Sequence, residues 1–292
     1  MTAYSDEKRS FGLFSGFSHY LPGFRGMMMM LVMFIAGSLL GNIVILTLQA
    51  GISAGFAQEY GTVISYPLMF IPAMLYAWSK SRKAKAEGYP KINVDNVETC
   101  IPGGLLMIMT VSAATIAAAF LVEPLGLLLP PMPQWLKEMM EKMLDAPLWV
   151  TLISVSVFAP FFEEWLCRGV IMRGMLHSMH PSMAIIISAA FFAVIHMNPW
   201  QALPAFCLGV LFGFVYYRTG SLKLTMIMHC VNNSLAVIIS KIPALSEAET
   251  FMDVLSTPAY IMIYILSAVI VGCAVIIIKG RAEAMHSCLK QD

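Results

Sequence analysis

From Met27 to Gln49 the chain carries no charged side chain, and seven further stretches are apolar over most of their length. A lipid bilayer offers no water to backbone N–H and C=O groups, so a chain built of such runs must satisfy them within helices. At about 1.5 Å rise per residue, roughly 20 apolar residues cross the hydrocarbon core. The runs predict about eight membrane helices, near 27–49, 61–79, 101–122, 148–177, 181–197, 201–218, 222–240 and 258–279. Composition agrees: 59% of residues are hydrophobic and 12% charged, whereas soluble domains carry about 25% charged residues. The expected class is an all-α, polytopic membrane helical bundle.

Charge and cysteine content narrow the reading. A net charge of +1 gives no signature of nucleic-acid binding. Cys100, Cys167, Cys207, Cys230, Cys273 and Cys288 show no C-x-x-C spacing and read as small packing residues rather than disulfide or zinc ligands. The first 26 residues do not read as a cleavable signal, because the apolar run begins only at Met27. Their Phe and Tyr residues, with His19 among them, read as lying on the membrane surface. So does the amphipathic PPMPQWLKEMMEKMLDAP between the third and fourth helices. Lys8, Arg9 and Arg25, the Lys80–Lys91 cluster, and Lys279, Arg281 and Lys290 oppose an acidic 241–257 loop and a 50–60 loop holding only Glu59. The positive-inside rule then predicts cytoplasmic termini.

Charges inside the apolar runs are costly, at least about 2.5–3.5 kcal/mol each on insertion scales. FFEEWLCRGV, residues 161–170, holds three. Glu164 and Arg168 lie four apart on one helix face and can pair. Glu163 is rotated by about 100° and points elsewhere, so it is available as a base. His196 closes FFAVIH, and His229 and Asn233 lie four apart in MHCVNNS. Taken singly, His196 reads as a satisfied core residue, and His229 with Asn233 as an interhelical hydrogen-bonded pair. Counting residues from the turns near 178–181 and 219–221 brings the three clusters to one depth. His177 and His180 fall at a turn and read as solvated.

Together these groups equip a site for amide hydrolysis. A carboxylate with a nearby imidazole activates water, and a second imidazole with an amide donates to an oxyanion. Glu163, His196 and His229 are also possible zinc ligands, although no H-E-x-x-H helix is present. A proton-coupled transporter would use the same buried Glu and His residues, but no internal repeat marks one. A non-catalytic membrane scaffold or bacteriocin-immunity protein is a third reading.

EEWLCR fits E-E-x-x-x-R, FAVIH fits F-x-x-x-H, and HCVNN fits H-x-x-x-N. In this order, on successive membrane helices, they resemble the CPBP intramembrane protease family. That family includes the type II CAAX prenyl proteases, or Ras-converting enzymes, and the bacterial Abi proteins. The resemblance implies an intramembrane endopeptidase of the cell membrane, with Glu163 and His196 activating water. It also implies His229 and Asn233 as oxyanion stabilisers, with Glu164 and Arg168 organising the site. The family has been described both as a metalloprotease and as a metal-free glutamate hydrolase. It implies a peptide or protein substrate, prenylated at its C-terminus in eukaryotic members. The chain then divides into N-terminal membrane helices and a surface helix without a motif (1–147), a catalytic core (148–240), and a last membrane helix with a cytoplasmic tail (241–292).

Overall fold

The computed structural model describes residues 14–95, 104–246, 248 and 250–288. Lys8, Arg9, Cys100, Glu247, Glu249 and Lys290 lie outside them. The described residues are helices joined by turns, without strands. They comprise α1 (Phe24–Gly51), α2 (Ala54–Ala86), α3 (Gly104–Val122), α4 (Gln134–Leu144), α5 (Leu148–Ser178), α6 (Pro181–Val194), α7 (Pro199–Thr219), α8 (Leu222–Ser240) and α9 (Thr257–Cys288). Seven are long and apolar enough to cross a membrane; α4 and α6 are not. The eighth expected crossing is α6, which has only 14 residues. The expectation near 181–197 is too long because α6 stops at Val194 and the chain turns before α7.

The expected 50–60 loop is a turn of two residues. Ser53 caps α2, its side chain accepting from the Phe56 N–H at 3.1 Å, so the helix begins at Ala54 rather than near 61. α2 also runs on to Ala86, which places Lys80, Arg82, Lys83 and Lys85 on its last turns. Cationic side chains there complement the negative end of the helix dipole.

Van der Waals fit, rather than hydrophobic segregation, holds helices together in lipid, so small residues set how closely they approach. Gly37 and Gly41 lie four apart on α1 and face α2. A Cβ on Gly37 would sit 1.7 Å from the Met69 carbonyl oxygen, and one on Gly41 would sit 2.8 Å from Met69 Cγ.

Arg173 of α5 ties two segments outside α1–α9 to the bundle. Its guanidinium donates to the carbonyls of Phe17 at 2.7 Å and Tyr20 at 2.9 Å, and also to that of Ile92. Asp95 caps α8 by accepting from the Leu222 N–H at 2.8 Å, and Lys223 Nζ lies 3.2 Å from it. The solvated turn expected at His177 and His180 is exposed; His180 also caps α6, accepting from the Ser182 N–H at 3.4 Å. α4 carries exposed Trp135 and Met139 beside exposed Lys137 and Glu141, with Leu136 buried beneath. The described cysteines at 167, 207, 230 and 273 are all free thiols.

Gly37→Ala is expected to destabilise the protein by about 1–3 kcal/mol through overpacking. Gly55→Ala, where an added Cβ meets nothing within 4 Å, is the control and should be neutral. Thermal unfolding of the two variants in detergent checks this.

Candidate active site

The site is built on α5, which is not a uniform α-helix. Residues Leu152–Phe158 and Trp165–Met172 are π-helical, and Ala159–Glu164 between them is α-helical. Such widened turns are uncommon and recur at functional sites. A cause of the first is visible in the sequence. The Ala159 N–H bonds to the Ser154 carbonyl, five residues back. The next donor in that register would be Pro160, which has no N–H. The Val155 carbonyl is thereby left without its helical partner, and Asn233 Nδ2 of α8 donates to it at 2.7 Å.

One turn after Pro160 stand the two glutamates. Glu164 and Arg168 are both fully buried. Arg168 Nη1 donates to Glu164 Oε1 at 2.8 Å, and Nη2 donates to the Gly209 carbonyl of α7 at 2.8 Å. The guanidinium lies 4.7 Å from the Phe192 ring centroid and 5.6 Å from that of Phe212. A buried cation needs such compensation, and an arginine presents enough donors and a flat enough face to take it all. Gly209 keeps this approach close, because a Cβ would stand 3.1 Å from Arg168 Nη2 and 3.2 Å from Ala189 of α6.

His229 of α8 spans the two carboxylates. Its Nδ1 is 3.2 Å from Glu164 Oε1, and its Nε2 is 3.9 Å from Glu163 Oε2. Glu163 Oε1 accepts a hydrogen bond from the Tyr66 hydroxyl of α2. Glu163 Oε2 is buried and, among the described residues, has no hydrogen-bond partner.

The remaining candidates stand further out. His196, half-buried in the turn after α6, directs Nδ1 to the Phe192 carbonyl at 2.7 Å. That bond makes Nδ1 the protonated nitrogen of a neutral ring and leaves Nε2 as an acceptor. The Phe192 ring stands edge-on to both imidazoles, 5.0 Å from His196 and 5.3 Å from His229. Asn233 lies a turn beyond His229, and its Oδ1 accepts from Asn232 Nδ2 at 3.1 Å. The structure thus links Arg168, Glu164, His229 and Glu163 in series. It sets His196 across one aromatic ring from His229, and Asn233 against the α5 backbone. The turn holding His196 is closed by Asn198. Asn198 Nδ2 donates to the His196 carbonyl at 2.9 Å, and Oδ1 accepts from the Gln201 N–H at 2.9 Å.

Sequence reasoning did not single out Tyr66, Phe192 as an aromatic partner, or Gly209. Tyr66 gave no signal, since tyrosine is common in membrane helices. GVLFG, with Gly209 and Gly213 four apart, did carry one, because that spacing marks a face for close helix approach.

A catalytic zinc site takes three protein ligands. Glu163 Oε2 and His229 Nε2 supply two facing donors, 3.9 Å apart, and Arg168 places a cation beside Glu164. Among the described residues, no three His, Cys, Asp or Glu side chains converge as a metal-binding group. This donor set does not fit zinc.

Residues 145–235 match the family model described as type II CAAX prenyl endopeptidase Rce1-like. No curated protein and no solved structure matches the chain. The match agrees with the family that the three motifs resemble, and it supports a CAAX-type protease in general and a multi-pass membrane protein.

Arg168→Ala is expected to destabilise the protein by about 3–5 kcal/mol, because it strands Glu164 as a buried charge. Replacing Glu164 and Arg168 together by leucine should cost less than either single replacement. Melting of the two singles and the double in detergent measures the non-additivity.

Proposed function

We propose that the chain is an intramembrane endopeptidase in which Glu163 activates the attacking water. The observation that carries the reading is the buried Glu163 carboxylate: one oxygen is tied down, and the other, with no hydrogen-bond partner among the described residues, faces an imidazole. A buried carboxylate without hydrogen bonds on one oxygen is costly to keep and is a strong acceptor for a proton.

The geometry supports a balanced reaction. In this scheme the attacking water donates one hydrogen bond to Glu163 Oε2 and the other to His196 Nε2, which together aim its lone pair at the scissile carbonyl. The oxygen attacks the carbonyl carbon as its proton passes to Glu163, and the carbonyl π pair becomes an oxyanion. His229, with Nδ1–H on Glu164, stabilises that charge through Nε2–H when it is an imidazolium. In that form Glu163, Glu164, Arg168 and His229 sum to zero charge. Asn233 has two amide N–H groups, and the one not bound to Val155 is the second donor. Collapse of the intermediate breaks the C–N bond, and the proton held by Glu163 passes to the departing amine. Glu164 and Arg168 do not touch the substrate in this scheme; they orient His229.

In this reading residues 148–240, which take in most of the Rce1-like segment, are the catalytic core, and the preceding helices and α9 wall it. The substrate is a membrane-associated peptide or protein carrying a lipidated C-terminus. The cell membrane is the site of action, with the basic ends of the helices facing the cytoplasm.

Glu163→Gln and His196→Ala are each expected to abolish peptide cleavage by the purified protein, with melting temperatures close to wild type. Wild-type cleavage should survive chelator treatment. Retained turnover in both variants would refute the assignment, and loss of turnover on chelation with recovery on added zinc would replace it with a metal mechanism.

A further inference from the structure

Glu163 is held from outside the Rce1-like segment. Tyr66 lies on α2, 97 residues earlier in the chain, and its hydroxyl donates to Glu163 Oε1. Its ring is not free to swing. Tyr66 lies 5.8 Å from Phe70, and Phe70 stacks on Phe162 at 5.1 Å with 16° between the planes. Phe162 immediately precedes Glu163. Three rings therefore join α2 to the very turn of α5 that carries the carboxylate, and Gly37 and Gly41 press α1 against α2 behind them.

We infer that Tyr66 is a positioning residue for the water-activating carboxylate. By donating to Oε1 it makes Oε2 the oxygen that takes the proton from water. This rests on the reading of Glu163 as the base. A carboxyl group with two free oxygens rotates about its terminal bond and presents either oxygen, or neither, to the water. Tyr66 removes that freedom. The phenol remains a donor to Oε1 whether Oε2 is bare or protonated, so the carboxyl keeps its orientation through both halves of the reaction. Tyr66 gives up no proton in the cycle: the proton travels from water to Oε2 and from Oε2 to the leaving amine.

A bland alternative is an interhelical hydrogen bond that only joins α2 to α5, and the two differ in what they move. The test uses the full chain in lipid nanodiscs: wild type, Tyr66→Phe and Glu163→Gln. The probes are two mixed-sequence peptide libraries, one farnesylated at a cysteine near the C-terminus and one unprenylated. kcat and KM are then taken on a peptide that is cleaved. Phenylalanine keeps the ring stack and removes only the donor. Tyr66→Phe is expected to lower kcat about 10- to 100-fold with KM unchanged, as misplacement of a reacting group does, while Glu163→Gln is inactive. Wild-type kcat in Tyr66→Phe beside an inactive Glu163→Gln overturns the role of Tyr66 and leaves the protease reading intact. A matched loss of cleavage and of folded protein in Tyr66→Phe, with kcat per folded molecule unchanged, reduces Tyr66 to a structural tie and also overturns it. Cleavage by Glu163→Gln overturns the reading of Glu163 as the base, and no cleavage of either library by wild type overturns the protease reading; either outcome takes this inference with it.

Discussion

The fold is organised around the cost of holding charge in hydrocarbon. Glu164 and Arg168 are both fully buried, and neither could stay ionised there alone. Their mutual bond is only part of the solution. Arg168 also reaches the Gly209 carbonyl and lies between two phenylalanine faces, and Glu164 also meets His229. The partners come from three other helices, so satisfying the pair requires α5, α6, α7 and α8 to assemble in one arrangement. A polar knot of this kind acts as a register device: a helix shifted by one turn would leave a charge without a partner.

Glycine and proline supply the space and the donors that the knot needs. Gly209 lets α7 present its backbone to a guanidinium, and Gly37 with Gly41 lets α1 brace α2. Pro160 acts by omission. The hydrogen it lacks leaves a carbonyl on α5 for Asn233, tying the asparagine-bearing turn of α8 to the helix that carries the glutamates. A residue usually regarded as a helix breaker here creates an interhelical bond.

The bundle was readable from the apolar runs because bilayer thickness imposes a length on each helix. Its ends were less readable. α2 begins earlier than its apolar stretch because Ser53 caps it, and α6 ends early at a turn that hydropathy alone does not mark. Of the candidate site, the i,i+4 pairing of Glu164 with Arg168 followed from helix geometry, and the structure has that bond at 2.8 Å. The contact of His229 with both glutamates needed long-range packing, and counting residues gave its depth but not its aim. Tyr66 was invisible because its partner lies 97 residues away and neither neighbour in sequence hints at it. Asp95 and Arg173 escaped notice for the same reason: their work is done on backbone groups, which carry no residue-type signal.

The short α6 shapes how the bilayer meets the protein. Fourteen residues reach about 21 Å, well short of a hydrocarbon slab of about 30 Å. One end of α6 therefore lies inside the slab; its C-terminal end is an irregular turn that Asn198 seals and in which Met197 adopts a left-handed φ of 54°. Irregular backbone at that depth is tolerated where protein or a wet crevice surrounds it. A helix this short cannot cross the slab unaided, so the bundle must present polar surface at one end of α6 or draw the bilayer in to meet it.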